Sequence, residues 1–172
     1  EYHPSKVLIH FGGASARKSG LLERVENCLK EENISFVELG GVVANPELSM
    51  VREGIALGKR EGVDFVLAVG GGSVLDSSKA IANGLANPDV DVWDFSLGKA
   101  APARTLPKGA ILTLAAAGSE MSSSCVITNA ATGEKRGYNS SFNRMNFAIE
   151  NPVLTYTVNP YQTACGAVDI AM

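Results

Sequence analysis

The chain has 172 residues, of which 45% are apolar and 19% charged, and its formal net charge is -3. That length supports one domain with a proper core, and the mild acidity gives no reason to expect nucleic acid or an anionic membrane as partner. No apolar run is long enough to span a bilayer and no basic-then-apolar leader stands at Glu1, so a cytoplasmic location is expected. From the amino end, Lys6 to Phe11 reads as a strand ended by Gly12-Gly13-Ala14-Ser15. A helix follows, with Leu21, Leu22, Val25, Cys28 and Leu29 on one face. Ile34 to Leu39 is a second strand, closed by Gly40-Gly41. Asn45-Pro46 then starts a second helix, with Asn45 as cap and Pro46 at the first helical position.

Phe65 to Val69 is a short apolar run that reads as a strand buried on both faces, and Gly70-Gly71-Gly72-Ser73 leads from it into a third helix. Bare backbone amides at a helix N-terminus suit a phosphate, because a side chain there would hold the ligand off. Ser73 and Asp76 also have the spacing of a capping box, and capping is the expected direct role of Asp76. Two other nucleotide signatures fail. Gly12, Lys18 and Ser19 imitate a P-loop, but Arg17 stands where that loop needs glycine; the Gly-x-Gly-x-x-Gly fingerprint is absent.

Val92 to Phe95 forms a short helix or loop, and Ala110 to Leu114 another buried strand. Cys125 to Thr128 and Arg136 to Asn139 flank Ala130 to Glu134 as a β-hairpin. Asn146 to Glu150 is a last sheet strand. Asn159-Pro160 opens a final helix, Tyr161 to Met172. Strand and helix alternate through the first half, which predicts an α/β fold: a Rossmann-like parallel sheet with helices on both faces and a hairpin insertion. Cys28, Cys125 and Cys165 lack Cys-x-x-Cys spacing and are expected to be buried free thiols. His3 and His10 cannot build a multi-histidine metal site, and His10 is expected to be structural.

Gly70-Gly71-Gly72-Ser73-x-x-Asp76-x-x-Lys79 resembles the cofactor turn of the iron-containing (group III) alcohol dehydrogenases. Thr113-Leu114-x-x-x-Gly118-Ser119-Glu120, Gly133-x-Lys135 and Gly166-Ala167-Val168-Asp169 follow in that family's order, and Asn45-Pro46 matches as well. The details are most similar to the NADPH-dependent butanol dehydrogenase and aldehyde reductase branch. The resemblance implies a dehydroquinate synthase-like nucleotide domain over residues 1–158 and the start of a helical metal-binding domain over 159–172. It implies reversible hydride transfer between nicotinamide and a small alcohol or aldehyde, with a divalent metal (iron or zinc) polarising the oxygen, in a homodimer. By the same resemblance Gly71, Gly72 and Ser73 hold the pyrophosphate, while Asn45, Thr113, Lys135 and Tyr156 line the cofactor groove. From the residues alone, Lys135 reads equally well as a solvated loop lysine and Tyr156 as a packed aromatic.

At the family's discriminating position this chain has Gly12, with Gly13, Ser15 and Lys18 following, so NADP(H) is expected over NAD(H). Asp169 matches the family's first metal ligand, the other ligands falling outside this sequence. Ala117 stands where the family commonly has threonine. The chain by itself is expected to hold no metal and to be inactive. Two alternatives remain open: a relative of glycerol dehydrogenase or dehydroquinate synthase, and a nucleotide-binding module without catalysis.

Overall fold

Apolar runs of four to six residues cannot bury themselves singly, and in the computed structural model, which describes residues 2–172, they pair into a sheet. In chain order the elements are β1 (Lys6–Phe11), α1 (Ser15–Lys18), α2 (Leu21–Glu31), β2 (Ser35–Leu39), α3 (Leu48–Glu61), β3 (Phe65–Gly70), α4 (Gly72–Ala86) and α5 (Val92–Ser96). There follow β4 (Lys108–Leu112), β5 (Ser124–Asn129), β6 (Glu134–Asn139), β7 (Phe147–Ile149) and α6 (Pro160–Ala171). The five-stranded sheet has the order β2-β1-β3-β4-β7, and every pair in it is parallel. The strands β5 and β6 form the antiparallel hairpin expected outside it.

Alternation along β1 decides the layers. Val7, Ile9 and Phe11 pack against Leu21, Leu22 and Val25 of α2. Leu8 points the other way, into a cluster with Val51 of α3 and Ile81 of α4. The helices α3 and α4 approach closely because glycine faces branched side chains: a Cβ on Gly58 would fall 2.7 Å from Leu85. The chain runs from β1 outward to β2 and then returns to β3 on the other side. The β1/β3 boundary is therefore a topological switch point, where the carboxyl ends of parallel strands open a crevice. No helix among the described residues is long and apolar enough to cross a membrane.

Three sequence expectations are corrected. The second helix begins at Leu48, not at Asn45-Pro46; Asn45 sits in the left-handed region at φ 58° and makes no cap. The cause is distant: the Pro46 carbonyl accepts the Thr128 N–H at 2.9 Å and Glu47 bridges Thr128, so the segment pairs with β5 before it can coil. Ser73 is likewise no cap. Gly71 is the N-cap of α4 without any side-chain bond, and Ser73 lies inside the first turn. Finally, the cysteines are free, but only Cys125 is buried; Cys28 is exposed and Cys165 half-buried. Cys28 lies on the edge of the apolar face of α2, where i,i+3 spacing reaches past the sheet. The last helix forms as expected, capped by Asn159 through the Gln162 N–H at 2.9 Å.

Candidate cofactor site

The site grows from two glycine turns at the switch point. At the end of β3 the chain must turn straight into α4. A Cβ on Gly70 would fall 2.6 Å from Val74 of that helix, so glycine permits the tight strand-to-helix passage. Val74 and Leu75 both donate to the Gly71 carbonyl, at 3.0 and 3.1 Å. The N–H groups of Gly72 and Ser73 precede those bonds and are left for a ligand, at the positive end of a helix of 15 residues. Gly71 has φ -97° and ψ -168°, an extended backbone open to any residue, so the fold itself leaves room for a side chain there and a ligand on the bare amides would not. A Cβ there would stand 3.4 Å from Leu114, and one on Gly72 would stand 3.9 Å from Ser119. Segment 114–119 is thus the opposite wall of a bare-backbone cradle. Thr113 starts that wall, its N–H bonded to the Gly70 carbonyl at 3.1 Å.

The turn after β1 faces the same crevice. The Gly12 carbonyl accepts the Gly41 N–H at 2.8 Å, and a Cβ on Gly12 would lie 3.6 Å from both Val74 and the Val42 carbonyl oxygen. Gly13 and Ser15 are exposed beside it. At the rim, Lys135 Nζ of β6 donates to Asn45 Oδ1 at 2.6 Å, across 90 residues of sequence. The left-handed turn and the hairpin therefore bring together two residues that periodicity cannot connect. Tyr156 is 77% exposed and lines a cleft of about 420 Å³ with Leu114, Ala115 and Gly166.

Asp76 has the spacing of a helix cap, but the structure gives it other partners. Its Oδ1 accepts from Lys79 Nζ at 3.1 Å and from Ser119 Oγ at 2.8 Å; its Oδ2 accepts the Val126 N–H at 3.1 Å. Lys79 is fully buried and also donates to Ser119 Oγ and the Ser124 carbonyl, at 2.9 and 2.7 Å. A buried ammonium needs a counter-charge and filled donors, and this arrangement supplies both. Its effect on the site is to brace the wall at Ser119 against the first turns of α4. Only the i,i+3 spacing of Asp76 and Lys79 could have signalled it; Ser119 carries no local cue.

A second buried network supports the glycine turns from below. His10 Nδ1 lies 2.8 Å from the Leu39 carbonyl and Nε2 lies 2.8 Å from Ser77 Oγ. A neutral ring donating from Nδ1 and accepting at Nε2 satisfies both, and burial lowers its pKa to about 4 despite the favourable carbonyl. It ties β1, β2 and α4 together, as a structural histidine should.

Asp169 lies exposed on α6 in a cleft of about 410 Å³ that Glu120 and Glu150 also line. Among the described residues no three His, Cys, Asp or Glu side chains come close enough to hold a metal ion. The residues present do not make a metal site, and no chemical step is assigned to one here. Gly166 is the buried residue of α6, and a Cβ there would run into the Ala115 carbonyl.

The family model described as iron-containing alcohol dehydrogenase matches residues 1–152. The chain belongs to that family. It is 44% identical over 166 residues to an NADH-dependent butanol dehydrogenase A of Clostridium acetobutylicum, covering 96% of this chain and 42% of that protein. It is 39% identical over 169 residues to the NADPH-dependent aldehyde reductase YqhD of Escherichia coli, covering 97% of this chain and 43% of that one. Among solved structures, an NADH-dependent butanol dehydrogenase A of Thermotoga maritima superposes with a TM-score of 0.92 at 43% identity, over 96% of this chain and 42% of that one. The chain thus spans about 42–43% of the length of these relatives. The glycine turns, the wall and the rim all fall within the matched residues.

Proposed function

We propose that this chain is the nucleotide-binding part of a cytoplasmic NAD(P)-dependent alcohol dehydrogenase or aldehyde reductase acting on small alcohols or aldehydes. The observation that carries it is the bare-backbone cradle between Gly71–Ser73 and Leu114–Ser119 at the β1/β3 switch point. In this reading Gly71, Gly72 and Ser73 bind the pyrophosphate through backbone N–H groups, and the helix N-terminus offsets its charge. Gly12, Gly13 and Ser15 accept the adenosine ribose. Asn45, Thr113 and Lys135 line the groove toward the nicotinamide, and Tyr156 stands at its far end. The cofactor, when bound, supplies the hydride. Residues 159–172 belong in this reading to a second unit that packs on the cradle wall through Gly166.

NADP(H) is the favoured nucleotide. Relatives named for each cofactor exist, so the preference rests on this chain's own residues. Selection of NAD uses a carboxylate on the ribose 2′-hydroxyl, and Gly12 offers none, whereas Lys18 nearby makes no ion pair among the described residues. Titration of the intrinsic or NADPH fluorescence of wild type and Gly71→Val tests the cradle. Valine should weaken NADPH binding at least tenfold with circular dichroism unchanged. Equal affinity in a folded variant would remove the phosphate reading.

A further inference from the structure

One ion pair at the crevice is unexplained by the cradle. Arg17 of α1 pairs its guanidinium with the carboxylate of Glu38, the residue before the end of β2. The guanidinium carbon also lies 5.4 Å from the centre of the Phe11 ring, at the end of β1. Phe11 in turn packs on Gly40, where a Cβ would run into its ring. The neighbouring Gly41 N–H holds the Gly12 carbonyl. Arg17, Phe11, Gly40 and Gly12 are therefore successive contacts along the lip of the β1 turn.

We propose that Arg17 and Glu38 together set the preference between NADP(H) and NAD(H). The inference rests on the reading that Gly12–Ser15 receives the adenosine ribose. A carboxylate about 20 residues after a glycine turn, across a helix and a strand, is the group that takes a ribose 2′-hydroxyl in dinucleotide folds, and an arginine nearby accommodates a 2′-phosphate. This chain has both, and they neutralise each other. The side chain of Glu38 is 27% exposed and that of Arg17 is 56% exposed, so the pair lies at the surface where a nucleotide can feel either charge. The other charged groups near this face are Lys18, Glu26, whose pKa the neighbouring Glu38 raises, and Lys30, which stands 3.7 Å from Glu26. Glu26 and Lys30 offset each other and Lys18 is common to every variant, so the Arg17–Glu38 pair is the charge that the substitutions change. Removing Arg17 leaves an unpaired carboxylate that repels a 2′-phosphate; removing the Glu38 charge frees a guanidinium that attracts it.

The magnitude follows from Coulomb's law: one unit charge acting on a doubly charged phosphate across about 8 Å of water changes affinity about fivefold at low ionic strength. The test is the ratio of NADPH to NADH affinity, by fluorescence titration, in wild type, Arg17→Ala, Glu38→Gln and the double variant. Arg17→Ala should lower the ratio about fivefold and Glu38→Gln raise it by a similar factor. The double variant should return to within about twofold of wild type, and all shifts should shrink with added salt. A pair that merely pins α1 would move both single variants in the same direction, independently of salt, and that result would overturn the inference. No shift in either variant would overturn it as well. Failure of the unmodified protein to bind either nucleotide would instead overturn the proposed function and carry this inference with it.

Discussion

Acid should destabilise this protein through His10 in particular. The unfolded imidazole titrates at 6.5, whereas burial lowers the folded value to about 4. Between those values the unfolded chain binds more protons than the folded one, so stability is complete above 6.5 and falls as pH falls toward 4. At about 1.4 kcal/mol per pH unit separating the two values, the full contribution is about 3 kcal/mol, of which about 2 kcal/mol is already lost at pH ~5. The cause is burial, which keeps water from the charged ring. A protonated ring would donate at both nitrogens, and the fully buried Ser77 Oγ would have to turn from donor to acceptor. Urea unfolding at about pH 8, 6.5 and 5 measures the loss, and the same series on His10→Gln subtracts the carboxylates that titrate in the same range. An NMR titration of His10 gives the folded value directly. A folded His10 that titrates near 6.5 would refute the reasoning, as would a His10→Gln variant with the same acid dependence as wild type.

Gly12→Asp should swing nucleotide preference toward NAD(H). Its Cβ meets only ordinary contacts at 3.6 Å, so the fold should tolerate it, and an unchanged NADPH-to-NADH affinity ratio would count against the assignment of this turn. Gly54→Ala should destabilise the α3–α4 contact by about 1–3 kcal/mol in chemical denaturation. Its Cβ would fall 2.9 Å from Cγ1 of the fully buried Ile81, and loss of less than about 0.5 kcal/mol would show that the helices can part freely. Ser119→Ala should cost about 1–3 kcal/mol by leaving the Asp76–Lys79 pair short of a partner, and should weaken NADPH binding; an unaffected Kd would separate the wall from the cradle. The purified chain should hold substoichiometric iron and zinc by elemental analysis and should not oxidise NADPH with butanal. Stoichiometric metal with metal-dependent turnover would contradict the absence of a ligand cluster among the described residues.

The sequence by itself determined the layers, the alternation of strand and helix through the first half and the glycine turn from β3 into α4. These depend on local rules: period-two and period-3.6 apolar spacing, glycine where strand meets helix, and Asn159-Pro160 at a helix start, each of which acts within a few residues. The hairpin was legible for the same reason. Only the tertiary structure decided where α3 begins, because Thr128 of β5 draws Pro46 and Glu47 into pairing before the helix can start at Asn45. Likewise Asp76 has the spacing of a capping residue, but Lys79 is buried and must be neutralised, and the nearest hydroxyl able to join them comes from Ser119, 43 residues away. The meeting of Asn45 with Lys135, and of Arg17 with Glu38, has the same origin. Hydrophobic burial is non-directional and written in short periods along the chain. Hydrogen bonds and ion pairs are directional, and their partners are chosen only after the sheet has brought distant turns to one edge.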